Sequence, residues 1–245
     1  MLNKIIHGGC LEIMKDIPDN SIDMICCDLP YGVTKNKWDS VIDLTELWKA
    51  YKRIIKDNGA ITLFGQDKFT ARVMLSNEQW HRYNIIWEKT TPTGFLNAKK
   101  MPLRSHEDIM VFYKHLPNYT PQMTSGYKPV NSYVKHTSDG TNYGKTKIGI
   151  SGGGSTERYP KSIWTFPTDK QKLSLHPTQK PVALIEKLVL SYTTKDMVVL
   201  DNCIGSGTTA EVCIINGRNF IGIDNDAEMV SIANNRIKNI RIGLF

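Results

Sequence analysis

The sequence predicts an α/β fold: a seven-stranded, mostly parallel sheet with helices on both faces. Three observations predict it. Apolar runs of strand length alternate with stretches of helical period through residues 3–114 and again through 178–240. Those strand runs are apolar at consecutive positions, as in strands buried on both faces. A glycine-rich turn at 203–209 stands between a strand run and a helix run, the arrangement of an open α/β sheet.

Residues 3–9 (NKIIHGG) read as a strand that ends in glycine, and 10–21 (CLEIMKDIPDNS) as a short helix with a Pro-Asp-Asn stop. Residues 22–27 (IDMICC) are an apolar strand. In 44–59, Leu44, Leu47, Trp48, Tyr51, Ile54 and Ile55 share one helical face, and Asp57-Asn58-Gly59 ends it. Strand 60–65, helix 67–78 and strands 83–89 and 107–114 follow. From about 115 to 175 the periodicity disappears into Gly, Ser, Thr, Lys and Tyr, too long a stretch for a bare loop in a compact core. Helix 178–193, strand 197–203, helix 209–217, strand 218–226 and helix 227–240 complete the chain. Strand 3–9 is expected beside strand 22–27, with strand 197–203 on the other side of the latter. The implied organisation is a domain built from 1–114 and 176–245, with 115–175 inserted.

The chain has 245 residues, 40% hydrophobic and 22% charged, ordinary for a globular domain. No apolar run nears the ~20 residues of a membrane span, and the N-terminus does not resemble a signal peptide. A cytoplasmic protein without a membrane partner is expected. The five cysteines are an odd number without C-x-x-C spacing, so reduced thiols packed as small hydrophobes are expected, and no metal site. The net charge is +7, and residues 115–172 alone carry a surplus of five positive charges. A polyanionic partner fits that distribution.

Residues 198–226 run strand, glycine turn, helix, strand, acid. Gly205 and Gly207 allow a ligand close to the backbone at the start of a helix. Asp224, at the end of the next strand, is placed to accept ribose hydroxyls. Asp201 at the strand tip would repel a pyrophosphate, so the turn suits a cationic nucleoside, S-adenosyl-L-methionine, better than a dinucleotide.

At residues 28–31 a buried strand delivers Asp28-Leu29-Pro30-Tyr31. By itself this is as much a strand exit as a site, because turns use the same residues. As a site it has a definite chemistry. An exocyclic amino group is a poor nucleophile, since its lone pair is delocalised into the ring. The Asp28 carboxylate and the Leu29 carbonyl, set against its two hydrogens, would free that lone pair. Pro30 would fix the carbonyl and Tyr31 would stack on the base. A base in a duplex must be flipped out to reach such a site.

Together these motifs resemble those of the DNA amino-methyltransferases that make N6-methyladenine or N4-methylcytosine. The family tetrapeptide is usually Asp-Pro-Pro-Tyr, and the segment HPTQKPVALIEKLV (176–189) resembles the one lining the methionine end of its cofactor pocket. NIIWEK and SHEDIMVFYK resemble its later strands. The order, catalytic motif before cofactor motif, is that of the permuted β group. The resemblance implies a Rossmann-like methyltransferase fold with circularly permuted motif order. It implies Asp28, Leu29, Pro30 and Tyr31 as catalytic residues. It implies cofactor contacts from Asp201, Cys203, Gly205, Ser206, Gly207, Thr208, Asp224, Asn225, Thr178, Gln179, Lys180 and Cys10.

The chain departs from the family in two places. Gly8-Gly9-Cys10 lacks the acid of the family's Gly-Asp-Cys, and Leu29 replaces a proline, which is expected to loosen the loop. Asp at the first tetrapeptide position favours adenine N6 in this family, with N4-cytosine the alternative. A DNA-binding module with a vestigial cofactor site is the reading from another class. Cytosine C5 chemistry needs a cysteine nucleophile, usually in a Pro-Cys dipeptide, which is lacking.

With the resemblance, the basic insertion reads as a target-recognition region. Lys128, Lys135, Lys145, Lys147, Arg158 and Lys161 would neutralise phosphates of double-stranded DNA, interleaved with Tyr119, Tyr127, Tyr133, Tyr143 and Tyr159. Trp38 would wall the base pocket or pack its loop, and His106 and His176 would be structural or near the cofactor. A homodimer and a cognate restriction endonuclease are partners expected by analogy with the family.

Overall fold

The computed structural model describes residues 1–32, 41–134, 151–168 and 179–243. In chain order the elements are β1 (Lys4–His7), α1 (Cys10–Ile13), β2 (Ile22–Cys27), α2 (Leu44–Ile54), β3 (Ile55–Gly65), α3 (Asp67–Ser76), β4 (His81–Thr93) and β5 (Arg104–Phe112). There follow β6 (Tyr133–Val134), β7 (Ser151–Gly152), β8 (Ile163–Phe166), α4 (Val182–Tyr192), β9 (Val198–Asp201), α5 (Thr208–Ile215), β10 (Asn219–Asp224) and α6 (Ala227–Gly243).

Eight strands make the main sheet, in the order β1-β10-β9-β2-β3-β5-β4-β8. All neighbours run parallel except β5, which is antiparallel to β3 and β4. The expected placement of the cofactor strand beside the catalytic strand is seen: Met24 pairs with Val199 and Ile25 with Leu200. The placement expected for the first strand is not. β3 and β9 occupy both edges of β2, so β1 has no room there. It pairs instead with the outer edge of β10, and Asn3 anchors it. The Asn3 amide donates to the Phe220 carbonyl at 2.7 Å and its side chain accepts from the Phe220 amide at 3.1 Å.

The eighth strand, β8, lies inside the stretch that showed no periodicity. Only four residues long, with Ile163 exposed and Trp164 buried, it gives too short a pattern to read. Several helices are also shorter than expected, and the one expected over 178–193 spans only Val182–Tyr192. After α1 the chain tightens into a 3-10 turn at Met14–Asp16. The helix expected over 44–59 ends at Ile54, and β3 begins at once, absorbing Asp57-Asn58-Gly59 in a register shift against β2. Asp43 caps the start of α2, accepting from the Thr45 and Glu46 amides at 2.8 and 3.1 Å.

Both faces of the sheet are buried. Met24 and Cys26 of β2 face a core with Leu184 and Leu188 of α4, Val212 of α5 and Ala233 of α6. Ile25 and Cys27 face the opposite core with Leu47 and Tyr51 of α2 and Phe69 and Val73 of α3. That alternation is the period-2 side-chain geometry of a strand covered on each side. Among the described residues no helix is long and apolar enough to cross a membrane.

The chain divides into two units, residues 1–120 with 162–245, and residues 121–161. In the smaller one β6 and β7 pair antiparallel, and Thr124 bridges Arg158.

Candidate active site

Parallel strands leave their carboxyl ends on one edge of a sheet, and ligands bind there in open α/β folds. The loops after β1, β2, β9 and β10 leave from that edge. They line a cavity of about 660 Å³, a volume within the usual range for small-molecule sites.

After β2, Asp28 stands in the cavity wall with 28% of its side chain exposed. Its Oδ1 accepts from the Tyr31 hydroxyl at 2.7 Å, and its Oδ2 from Lys180 Nζ at 2.5 Å. The Tyr31 ring packs on Phe69 of α3, centroids 4.7 Å apart, so the tyrosine is braced from behind. Burial, then the Asp28 charge, pushes the Tyr31 hydroxyl up, which keeps it a donor. The Leu29 side chain is buried at 3% exposure in the core beneath α2 and α3. The loosening expected from a missing proline is thus answered by a packing anchor.

Lys180, just before α4, also reaches Glu107 of β5. Its Nζ lies 3.3 Å from Glu107 Oε2 and 5.1 Å from the centre of the Phe64 ring. Glu107 Oε1 in turn pairs with Lys89 of β4 at 2.6 Å, and Lys89 is only 8% exposed. Glu107 Oε2 makes no hydrogen bond with a described residue, so its 3.3 Å contact is an ion pair alone. Asp28, Lys180, Glu107 and Lys89 form a chain of alternating charge from four separate segments. Burial pulls the Lys180 ammonium down, but Asp28 and Glu107 outweigh it and hold it above its ordinary value. Burial likewise pushes Glu107 up, and Lys180 and Lys89 overcome it and hold the carboxyl below its usual range.

The turn after β9 is tied to itself. Asp201 Oδ2 accepts from the Thr209 hydroxyl at 2.6 Å and Oδ1 from the Cys203 amide at 3.2 Å. Burial raises the Asp201 carboxyl to about 7. Asp224, at the end of β10, accepts from the amides of Gly205 at 2.8 Å and Asp226 at 2.9 Å. Gly207 has φ 87°, and a Cβ there would sit 2.9 Å from that of Ala233, so glycine lets α5 start against α6. The Ser206 hydroxyl bonds Gln179 Oε1 at 3.1 Å, joining this turn to the segment that carries Lys180. On the far side, a hydrogen bond from the Cys203 thiol lowers Cys10 to about 7.

Asp28, Leu29, Pro30 and Tyr31 all line this cavity. So do Cys10, Gln179, Lys180, Asp201, Cys203, Gly205, Ser206, Thr208, Asp224 and Asn225. Gly207 stands behind the wall, and Thr178 lies outside the described residues, as do Trp38 and His176. Lys128, Arg158 and Lys161 are in the smaller unit, while Lys135, Lys145 and Lys147 lie outside the described residues. Arg158 is built into that unit. Its guanidinium donates to the carbonyls of Lys128 at 2.6 Å and Ser155 at 2.9 Å, and covers the Tyr127 ring. Lys89 and Glu107 were not singled out from sequence. Their only signal there is a charge within or at the end of an apolar strand run.

The sequence model of the DNA methylase family matches residues 22–235. The chain is 30% identical to type II methyltransferase M2.MboI of Moraxella bovis, over 96% of this chain and 88% of that protein. It is 29% identical to type II methyltransferase M.HinfI of Haemophilus influenzae, over 98% and 69%. It is 28% identical to the DNA adenine methyltransferase YhdJ of Escherichia coli K12, over 95% and 82%. The fold is that of the crystal structure of the M1.HpyAVI–SAM complex, with TM-score 0.65 at 22% identity over 96% of this chain and 98% of that one. It is also that of the cytosine-N4-specific PvuII DNA methyltransferase, with TM-score 0.68 at 14% identity over 96% and 90%. With the family matched across both the catalytic loop and the cofactor turn, the chain belongs to the DNA methylases of the N6/N4 amino-methyltransferase family.

Proposed function

We propose that this chain is a site-specific DNA methyltransferase that methylates the exocyclic N6 of an adenine flipped out of double-stranded DNA, with S-adenosyl-L-methionine as methyl donor. The observation that carries the proposal is one cavity shared by two loops, Asp28–Tyr31 and Asp201–Thr208, from adjacent parallel strands. The cofactor fits the residues present. A buried carboxyl raised by burial gains from a cationic neighbour, and positive-φ glycines keep the turn low against a ligand.

When bound, S-adenosyl-L-methionine supplies an electrophilic methyl group. The protein's part is to prepare the nucleophile. Asp28 and the Leu29 carbonyl accept the two amino hydrogens, drawing the nitrogen lone pair out of the ring. Tyr31 and Lys180 set the direction of the Asp28 carboxylate. Lys180 yields one carboxylate lone pair to the incoming amino group while Glu107 retains its ammonium. The methylated nitrogen carries an acidic proton, and Asp28 is placed to take it.

We assign DNA contact to the unit of residues 121–161, where Tyr127, Lys128 and Tyr133 are all exposed. By analogy with the family we extend the proposal to a cytoplasmic protein with a cognate restriction endonuclease, and to a homodimer that light scattering would detect. Incubation with tritiated cofactor and varied duplexes, followed by nucleoside analysis, tests the proposal. Label in N6-methyldeoxyadenosine is the expected result. Label only in N4-methyldeoxycytidine would move the target to cytosine, and no label in any DNA would overturn the reading.

A further inference from the structure

The turn between β4 and β5 carries two large apolar side chains almost wholly in water. Phe95 is 81% exposed and Leu96 is 98% exposed. The turn is nonetheless built. Gly94 enters it with φ 89°, and backbone bonds close it from Asn97 to Gly94 at 2.9 Å, Ala98 to Phe95 at 3.0 Å and Met101 to Asn97 at 3.0 Å. A folded tip that presents adjacent aromatic and aliphatic side chains outward has no partner within the described residues of its own unit.

The surroundings define the partner. Lys99, Lys100 and Arg104 are exposed, and no acid occurs from Thr90 to His106; the one carboxylate paired with them among the described residues is Asp67, 3.9 Å from Arg104. The last rung of the β4–β5 ladder is Thr93 with Arg104, and both residues line the cavity. Three residues further along β5, Glu107 reaches Lys180, which holds Asp28. The tip therefore rises from the rim of the catalytic cavity. A second copy of the same turn would set cation against cation, whereas a polyanion would not.

We infer that this turn is a DNA wedge: Phe95 and Leu96 enter the duplex where the target base has left it, and Lys99, Lys100 and Arg104 hold the flanking phosphates. The inference rests on the proposed function and adds to it a step that the cavity cannot perform. A flipped base stays tethered to the gap it leaves, so the group that fills the gap must sit beside the pocket. Apolar side chains serve in this way by unstacking base steps and occupying the space.

The test uses the full chain and two duplexes carrying its methylation site. In one the target adenine faces thymine, and in the other it faces an abasic site, so that unpairing is already done. For the Phe95→Ala/Leu96→Ala variant we expect single-turnover methylation of the paired duplex to fall by about tenfold or more, since flipping a paired base is the harder task. On the abasic duplex it should stay within about twofold of the unchanged protein, by the same principle. A variant that keeps apolar bulk, Phe95→Leu/Leu96→Met, should recover most of the paired-duplex rate and match the unchanged protein on the abasic duplex. Lys99→Ala/Lys100→Ala should reduce the slope of log affinity against log salt by about two. Cofactor titration and the melting temperature of each variant report that the cavity and fold are intact.

Equal loss on both duplexes, or no loss on either, would overturn the wedge. Equal loss with a change in oligomeric state would assign the turn to a contact between copies instead. If the unchanged protein methylates neither duplex, it is the proposed function that fails.

Discussion

Two carboxylates end neighbouring parallel strands in the cavity, and they are held in opposite ways. Asp201 is 6% exposed and bonded within its own turn, by a backbone amide and the Thr209 hydroxyl. Asp28 is more open, and the groups on it are the side chains of Tyr31 and Lys180. A backbone amide cannot leave without unmaking the turn, whereas a lysine on a four-carbon stem can swing. Asp201 thus shapes a binding surface, and Asp28 stands ready to exchange partners. The charge chain explains how Lys180 can yield at low cost, because Glu107 keeps it paired.

The comparison breaks most sharply at Asp28. Asp28→Ala should lower the single-turnover methylation rate by about 10³-fold, the upper range for removal of one preorganised hydrogen-bonding group. Calorimetry should find cofactor affinity nearly unchanged. Next is Glu107→Gln, which strips buried Lys89 of its carboxylate and leaves Lys180 paired with Asp28 alone. Breaking a buried pair from one side costs about 3 kcal/mol, so thermal unfolding should move down by roughly 6–12 °C at this chain length.

Asp201 sharpens the other side. Its folded pKa of about 7 lies above its ordinary value of 3.8, so the folded state holds the proton more tightly. That contribution to stability is present below the ordinary value and is lost as pH rises towards 7. A cationic cofactor favours the ionised form, so its affinity should rise about tenfold between pH 6 and pH 8 and then level. Titration calorimetry in buffers of different ionisation heat should detect the proton released near pH 7, and Asp201→Asn should flatten the profile. The smallest expected effect is Gly207→Ala. With φ 87° and Ala233 at 2.9 Å, it should cost about 1–2 kcal/mol in denaturant unfolding and weaken cofactor binding in parallel.

Local pattern made much of this legible. The β9–turn–α5–β10 unit and the exit of β2 were readable because their signals lie within a few residues of one another. Pairing across the sheet was not. β1 reads as a strand, but nothing in residues 3–9 tells which edge it joins, and that depends on β3 and β9 having filled β2. β8 was missed because four residues with one buried tryptophan carry no period. Lys89 and Glu107 were visible only as charges in strand runs. Their meaning is a contact between β4, β5 and the segment before α4, which no single stretch of sequence contains. Arg158 shows the reverse: its charge reads as a phosphate contact, while its geometry is a strap on its own unit.

The most direct measurement is methylation-sensitive long-read sequencing of DNA from a methylation-free host expressing this chain, with Asp28→Ala as control. The account predicts N6-methyladenine at a single sequence motif, lost in the control. N4-methylcytosine in its place, no modification by a protein that binds the cofactor, or N6-methyladenine that persists in Asp28→Ala would contradict it.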